Sequence, residues 1–231
     1  MYPTGVRIII WVCAIFYLLQ HMYFPLVDNL FGLAYIGHDN FRIFQFATYG
    51  FLHNDMYHIF VNMLMLVIFG SRIEYALGIK NFLVLFILTV ICGGVAQTAA
   101  NMVGLYNITG TMFPTDTPSD LFSHIKISIE HGKEYVHDFA SIFNRVTIGA
   151  SAGVFGCMLA FTCLFPRQRL GLPLLPISIS ARMLIVIYVI SELYMVLYSP
   201  TPQIAHHAHL GGAAAGLLLA LWWKRSSPVK K

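Results

Sequence analysis

Residues 148–156 read Ile-Gly-Ala-Ser-Ala-Gly-Val-Phe-Gly, which places the hydroxyl of Ser151 among small residues at the start of an apolar run. Two interpretations are open. In the first, Gly149 and Gly153 form a small face for helix packing in lipid, and the serine hydroxyl bonds back to its own helix. In the second, Ser151 is a nucleophile, and its small neighbours let another helix bring a base close to it. The rest of the chain decides between them.

The composition is that of an integral membrane protein. The 231 residues are 58% hydrophobic and 10% charged, with a mean hydropathy of +0.70, whereas soluble domains have about 45–50% apolar and about 25% charged residues. A helix that crosses a bilayer needs about 20 apolar residues. The sequence therefore predicts an all-α membrane protein with six transmembrane helices. They are predicted at residues 6–27, 56–75, 81–103, 150–165, 183–198 and 204–223.

Positive charge predicts the orientation of these helices. Six spans put both termini on one side of the membrane, and that side carries Arg7, Arg72, Lys80, Arg167, Arg169, Arg182, Lys224, Arg225, Lys230 and Lys231. The other side carries Arg42, Lys126, Lys133 and Arg145. Because lysine and arginine accumulate on the cytoplasmic side of a membrane protein, we expect both termini to be cytoplasmic. We expect the chain to lie in a prokaryotic cytoplasmic (inner) membrane, with the bilayer as a partner and no nucleic acid.

Two outer loops follow from this orientation. Residues 28–55 are rich in aromatic side chains, which predicts a loop lying partly in the membrane interface. Residues 104–147 form the one sizeable polar segment. Within them Thr117-Pro118-Ser119-Asp120 is typical of a helix start, and apolar residues then recur at helical spacing. This predicts one or two amphipathic helices, either on the membrane surface or at a partner site.

Ionisable side chains inside predicted spans are candidate functional residues, because they are costly in lipid. On the second span His58 and Asn62 are four residues apart and share one helical face. Ser151 lies near the outer end of the fourth span, and His209 near that of the sixth. Helices two, four and six thus carry polar groups at similar depth, which predicts one cavity.

Glycines on the fourth and sixth spans predict a close helix pair. Gly212 and Gly216 follow His209 at i+3 and i+7, and Gly149 and Gly153 flank Ser151. Two glycine faces packed together would bring the serine and histidine within hydrogen-bond range, as a nucleophile and its base require.

The other polar residues of the spans have weaker predicted roles. Glu192, in the fifth span, is interpreted as hydrogen-bonded within the bundle, so we predict a Ser–His pair without an acid. His206 shares a face with His209 and is predicted to line the cavity, whereas His207 points away. The four cysteines lie within spans without a C-x-x-C pair and are interpreted as packing residues.

Four blocks of sequence resemble the motifs of the rhomboid intramembrane serine proteases, in the same order and on the expected helices. Residues 53–62 follow the pattern H-x4-H-x3-N, residues 74–78 follow E-x3-G, residues 149–153 follow G-x-S-x-G, and residues 209–216 follow H-x2-G-x3-G. The positions that these motifs share with the family as structural residues are Glu74, Gly78, Gly153, Gly212 and Gly216. The resemblance covers essentially all six predicted spans.

The resemblance implies a six-helix bundle that cleaves single-span membrane proteins without a cofactor or metal. It implies Ser151 as the nucleophile and His209 as the general base. His58 and Asn62, with a backbone amide at the serine, would stabilise the oxyanion. His53 and Gly149 would shape the same cavity. The family's usual Trp-Arg pair in the first outer loop stands here as Phe44-Gln45, so that loop must be held differently, with Arg42 nearby. The outer loop before Ser151 is also longer than in the simplest bacterial members.

Three other functions are weaker interpretations of the same residues. A catalytically silent relative that binds or escorts membrane segments would typically lack the serine or the histidine, and both are present. A metal-dependent protease or metal transporter would have to use residues 206–209, without the H-E-x-x-H pattern. A soluble α/β-hydrolase would need a strand before the serine.

Overall fold

The computed structural model describes residues 3–114, 139–171, 178–198 and 205–226, which are mostly helical. The first helix, α1, spans Thr4–Met22. Two short helices follow in the first loop, α2 at Leu26–Phe31 and α3 at Gln45–Thr48, and α3 continues into a 3₁₀ turn at Tyr49–Phe51.

The second and third predicted spans form one helical run with two irregularities. Helix α4 spans Met56–Met65, a π-helical turn follows at Leu66–Gly70, and α5 spans Ser71–Thr109. Gly78 interrupts α5 with φ +80° and ψ 161°. A Cβ at Gly78 would meet nothing within 4 Å, so the positive φ rather than lack of space calls for glycine there. Gly78 therefore divides the run into two helical segments.

The remaining elements complete the bundle. Helix α6 spans Ser151–Leu164 and leads to a two-stranded antiparallel sheet. Its strands are β1 at Arg169–Gly171 and β2 at Ser178–Ser180, with Arg169 opposite Ser180. Helices α7 and α8 span Ala181–Tyr198 and His206–Ser226.

The core lies around α6, which packs against α5 and α8. Its largest fully buried side chains include Phe82 and Phe86 from α5 and Met158 and Phe161 from α6. By contrast, α1 and α7 expose many large apolar side chains. The segments Thr4–Met22, Met56–Thr109 and Ala181–Tyr198 are long and apolar enough to cross a membrane, and α6 is apolar but shorter. These helices are those of an integral membrane protein.

Two predicted helix ends differ from the structure by more than three residues. The first helix was expected to reach residue 27, but it ends at Met22, before the break at residues 23–25 from which α2 begins. The third was expected to end at residue 103, but α5 continues through polar residues to Thr109, because a helix does not have to end where its apolar run ends. The predicted helix start at Thr117–Asp120 lies outside the described residues. Residues 139–143 are helical, and the rings of Phe139 and Phe143 stack with centroids 5.1 Å apart.

The loop between α1 and α4 is held by the fully buried side chain of Gln45. Its Oε1 atom accepts hydrogen bonds from the backbone N–H groups of Ala34 and Arg42, both at 3.2 Å. Its Nε2 atom donates to the carbonyls of Asn29, Leu30 and Asn40. The Arg42 guanidinium is exposed and binds only the adjacent carbonyls of Asp39 and Phe41 among the contacts described. Gln45 therefore organises this loop, and Arg42 does not take over the role.

This loop in turn supports the segment that enters α6. Leu33 and Thr147 exchange backbone hydrogen bonds of 3.0 and 2.9 Å. The N–H group of Gly149 donates to the carbonyl of Tyr49 at 2.9 Å, and the Tyr49 hydroxyl donates to the carbonyl of Val90 at 2.7 Å. The backbone just before Ser151 is thus fixed by the first loop and by α5.

Candidate active site

Ser151 is the first residue of α6, at the end of the helix that faces a cavity. The preceding residue, Ala150, supplies no side-chain cap. The first N–H groups of a helix have no acceptor within the helix, and here no side chain of the N-cap competes for them. The serine hydroxyl therefore sits beside backbone donors at the positive end of the helix dipole.

Gly149 lies just before α6, in a backbone conformation that requires glycine. Its φ is +132°, a conformation that residues with a side chain rarely adopt. A Cβ there would also lie 2.9 Å from Cε1 and 3.0 Å from Nε2 of His58. Glycine is needed at this position for both reasons, and its lack of a side chain lets the His58 ring approach the serine.

His209 meets Ser151 directly. Its Nε2 atom lies 2.8 Å from the serine Oγ, a hydrogen-bond distance. The Phe155 ring stacks on the imidazole with centroids 4.5 Å apart and an angle of 9° between the planes. Phe155 is four residues after Ser151, so a single helix supplies the hydroxyl and the ring that sets the plane of the imidazole.

The small residues that allow this contact differ in part from the prediction. A Cβ on Gly212 would overlap the carbonyl oxygen of Ala152, and one on Gly216 would overlap that of Gly156, so α8 does approach the α6 backbone. The expected pairing of two glycine faces was wrong for both glycines of the serine motif: Gly153 faces the Phe86 ring of α5, and Gly149 faces the His58 ring of α4. The reason is that α6 packs between α5 and α8, so its small residues serve two neighbours.

Glu192 joins the site from α7, a contact that the sequence did not predict. Its Oε2 atom lies 2.6 Å from Nδ1 of His206, and its Oε1 atom lies 3.0 Å from Nδ1 of His209. The second contact has a hydrogen-bond distance but lacks the alignment of one. His207 was predicted to point away from the cavity, but it is an exposed residue of the cavity lining. The sequence did contain one indication of this contact. Glu192 is a lone carboxylate in an apolar helix, and the next helix carries two histidines three residues apart, His206 and His209.

His58 and Asn62 face the same cavity from α4. The Asp55 carboxylate caps this helix by accepting from the backbone N–H of His58 at 2.8 Å. Asn62 donates one amide hydrogen to the His58 carbonyl at 3.0 Å, which leaves its other amide hydrogen available. The cavity has a volume of about 870 Å³ and is lined by His58, Asn62, Ser151, Glu192 and His209, among others.

His53 lies behind His58, just before α4. It is 1% exposed, and the two rings meet edge to face with centroids 5.0 Å apart. Its backbone N–H donates to Oε1 of Gln20 on α1. Burial, and secondarily the neighbouring His58, lower the pKa of His53 to about 3. His53 is therefore neutral near pH 7 and supports the His58 ring.

Glu74 and Gly78 lie at the other end of the helical run that carries His58. The two Glu74 oxygens accept hydrogen bonds from the backbone N–H groups of Gly5 and Val6, at 2.8 and 2.9 Å. These N–H groups belong to the first turn of α1, where a helix favours negative charge. The E-x3-G block thus fastens the start of α1 and then breaks the helix at Gly78.

The cluster of Glu192, His206 and His209 has side chains of the kind that bind metals. Its nitrogen and oxygen atoms all lie within 4.8 Å of one another. Tetrahedral zinc with bonds of 2.0–2.1 Å separates its ligand atoms by about 3.3 Å. The carboxylate–imidazole distances of 2.6 and 3.0 Å are shorter, so they fit direct pairing of these side chains better than coordination.

Comparison with models of protein families identifies the family of the chain. Residues 40–226 match the family model described as the Rhomboid domain. The matched range contains all four motif blocks and every residue of the cavity named above. No curated protein matches the chain.

Proposed function

Because the chain belongs to the rhomboid family, whose model covers residues 40–226, we propose that it is an intramembrane serine endopeptidase. Ser151 is the nucleophile and His209 the general base. The observation that carries this proposal is the 2.8 Å contact between Oγ and Nε2, at a cavity that polar and apolar side chains line together.

The proposed reaction is acyl transfer through the serine. His209 Nε2 accepts the hydroxyl proton as Ser151 Oγ attacks the carbonyl carbon of the scissile peptide bond. The tetrahedral intermediate collapses when the same nitrogen returns the proton to the leaving amine, and an acyl ester remains on Ser151. Water from the cavity, deprotonated by His209, then hydrolyses the ester and releases the second product.

The developing oxyanion is proposed to be stabilised from two sides. Backbone N–H groups at the start of α6 point toward the reacting carbonyl, and the Asn62 amide and the His58 ring face it from α4. Donors fixed before the reaction are typically worth about 2.7–4 kcal/mol each when they bind the oxyanion. The Gly149 turn brings the His58 ring close to Ser151, which supports this arrangement.

The substrates are proposed to be single-span membrane proteins, cut in or near their transmembrane segment. We propose six spans for the enzyme: α1, the two halves of the run divided at Gly78, α6, α7 and α8. The distribution of lysine and arginine supports cytoplasmic termini, in a prokaryotic inner membrane. In this orientation the cavity, at the ends of α4, α6 and α8, opens toward the outer face, where water is available.

The test is cleavage of a tagged single-span protein by the purified enzyme in proteoliposomes. We expect Ser151→Ala and His209→Ala each to lower the rate by about 10⁴-fold or more. Ser226→Ala is a matched control and should keep the wild-type rate, because within the described part of the chain this exposed serine donates only to the carbonyl of its own helix at Trp222.

A fluorophosphonate probe gives a second measurement. It should label the wild-type protein at Ser151 and leave Ser151→Ala unlabelled. Cleavage that persists in the Ser151→Ala protein would show that the serine is not the nucleophile. A wild-type protein that binds the substrate without cleaving it would identify a silent, binding relative.

A further inference from the structure

Glu192 is an unusual residue for its helix. The buried positions of α7 are Ala181, Ile185 and Glu192, and the rest of this helix turns mainly apolar side chains outward. A carboxylate in such surroundings is costly unless it is paired. Both of its oxygens contact imidazole nitrogens of α8, so α7 places its one buried carboxylate against the proposed base.

The contacts of His209 select one form of its ring. To accept the serine proton, Nε2 must be unprotonated, and the hydrogen of the neutral imidazole then lies on Nδ1. Nδ1 is the atom that faces Oε1 of Glu192 at 3.0 Å. A carboxylate at this atom favours the required tautomer and stabilises the imidazolium that forms when the serine is deprotonated.

We propose that Glu192 is a positioning residue that makes Ser151, His209 and Glu192 a catalytic triad, and that His206 holds its carboxylate in place. This inference rests on the proposed serine endopeptidase function. It differs from the prediction of a Ser–His pair without an acid, because the acid comes from a third helix.

Three contacts leave His209 little freedom. The Phe155 ring fixes the plane of the imidazole, and Ser151 fixes one edge. Glu192 faces the opposite edge and is itself held at 2.6 Å by His206. A small rotation of the imidazole within its plane would align Nδ1–H with Oε1, and catalytic hydrogen bonds commonly tighten in this way when substrate binds.

The charged and titratable groups around His209 favour the same role. His58 faces it from α4 and would oppose a positive charge. Arg145 and His207 also line the cavity, and neither can supply a negative charge, while α5 contributes the uncharged Gln97 and Asn101. The other described carboxylate of the cavity, Asp55, is used to cap α4. Glu192 is therefore the carboxylate placed to balance an imidazolium at His209.

The decisive variant is Glu192→Gln, which keeps the shape of the side chain and removes its charge. We expect kcat for the single-span substrate to fall by about 10²–10⁴-fold with little change in KM, by analogy with the loss of the acid in soluble serine proteases. We expect the acidic limb of the pH–rate profile to move to lower pH by about one unit, because an opposite charge near the base is lost. A carboxylate that only tethered α7 would leave the profile in place.

The matched control is Glu74→Gln, which removes the charge of another buried, doubly bonded carboxylate far from the serine. It should lower thermal stability without moving the pH–rate profile.

A second measurement needs no variant: ¹⁵N-histidine NMR of the wild-type protein should show His209 with its proton on Nδ1. Glu192→Asp should retain the wild-type acidic limb with an intermediate kcat.

The outcomes separate this inference from the proposed function. If Ser151→Ala abolishes cleavage while Glu192→Gln keeps the wild-type kcat and profile, the triad is wrong and the endopeptidase stands. If Glu192→Gln does not fold, one other result would still overturn the triad: a His209 proton found on Nε2 in the wild-type protein. If Ser151→Ala still cleaves, the proposed function itself fails.

Discussion

The two ends of the bundle each contain a buried carboxylate with two partners, and these partners differ. Glu74 is 7% exposed and Glu192 is 8% exposed. Glu74 accepts from two backbone N–H groups at the start of α1, whereas Glu192 faces two histidine rings beside the cavity. Backbone amides do not gain or lose protons under ordinary conditions, but imidazoles do.

This comparison shows that burial and pairing alone do not identify a functional carboxylate. Glu74 and His58 are sixteen residues apart on one helical run, which is about 24 Å along a helix. At the Glu74 end the charge fixes the position of a helix. At the other end the charge acts on groups whose protonation changes during the proposed reaction. The kind of partner is therefore the informative feature.

Among three further substitutions at the two ends of the bundle, the largest effect is expected from Asn62→Ala at the cavity. Loss of one oxyanion donor should lower kcat by about 10²–10³-fold, measured by cleavage of a single-span substrate. Asn81→Ala is the matched control, because Asn81 also donates Nδ2 to the carbonyl four residues earlier at 3.0 Å. Equal losses of kcat in both variants would mean that Asn62 matters only for its helix.

A smaller effect, on stability alone, is expected from Glu74→Gln at the other end. An amide can accept from one of the two N–H groups but presents a donor to the second, and the negative charge at the start of α1 is lost. We expect the free energy of unfolding to fall by about 2–3 kcal/mol, with kcat per folded molecule unchanged. Denaturation in mixed micelles measures this change. Glu74→Asp keeps the charge, and a loss larger than that of Glu74→Gln would contradict the electrostatic explanation.

The smallest effect is expected at His53, a buried histidine beside the cavity, and it concerns how stability changes with pH. Its native pKa of about 3 lies below the ordinary value near 6.5, so the unfolded chain binds the proton more readily. The folded state should therefore lose stability as the pH falls below about 6.5. Between pH 7 and 5.5 this amounts to about 1 kcal/mol.

In the His53→Gln protein this part of the pH dependence should be missing. The comparison is the slope of unfolding free energy against pH, and not the stability at one pH, because the substitution also changes packing. Identical slopes for the two proteins would show that His53 already titrates normally in the native state.

The sequence predicted the serine and its base because both lie in short local patterns. Ser151 and His209 each belong to a small-residue motif, and helical spacing then indicates the face that each presents. The contact of Glu192 with His209 depends on the rotation of α7 relative to α8, which follows from packing between helices distant in sequence. No local period encodes that rotation.

The same limit applies to the first loop and to the glycines. The sequence showed that Phe44-Gln45 departs from the family pattern, but only the folded loop shows five hydrogen bonds converging on the Gln45 side chain. Similarly, the spacing of Gly153 predicted a small face without saying which neighbour it meets. The local spacing of glycines predicted a surface of small residues, but the packing of α6 against α5 decides that Phe86 contacts it.

The contact of Gly212 and Gly216 with the carbonyls of α6 has a consequence for the reacting atoms. Where two helix backbones touch, their separation is fixed by van der Waals radii, with no side chain between them that could compress or change rotamer. A single methyl group on either glycine would push α8 away from the α6 backbone and so lengthen the distance between Ser151 and His209. The two glycines of α8 therefore determine the distance between the reacting atoms as much as the histidine side chain does.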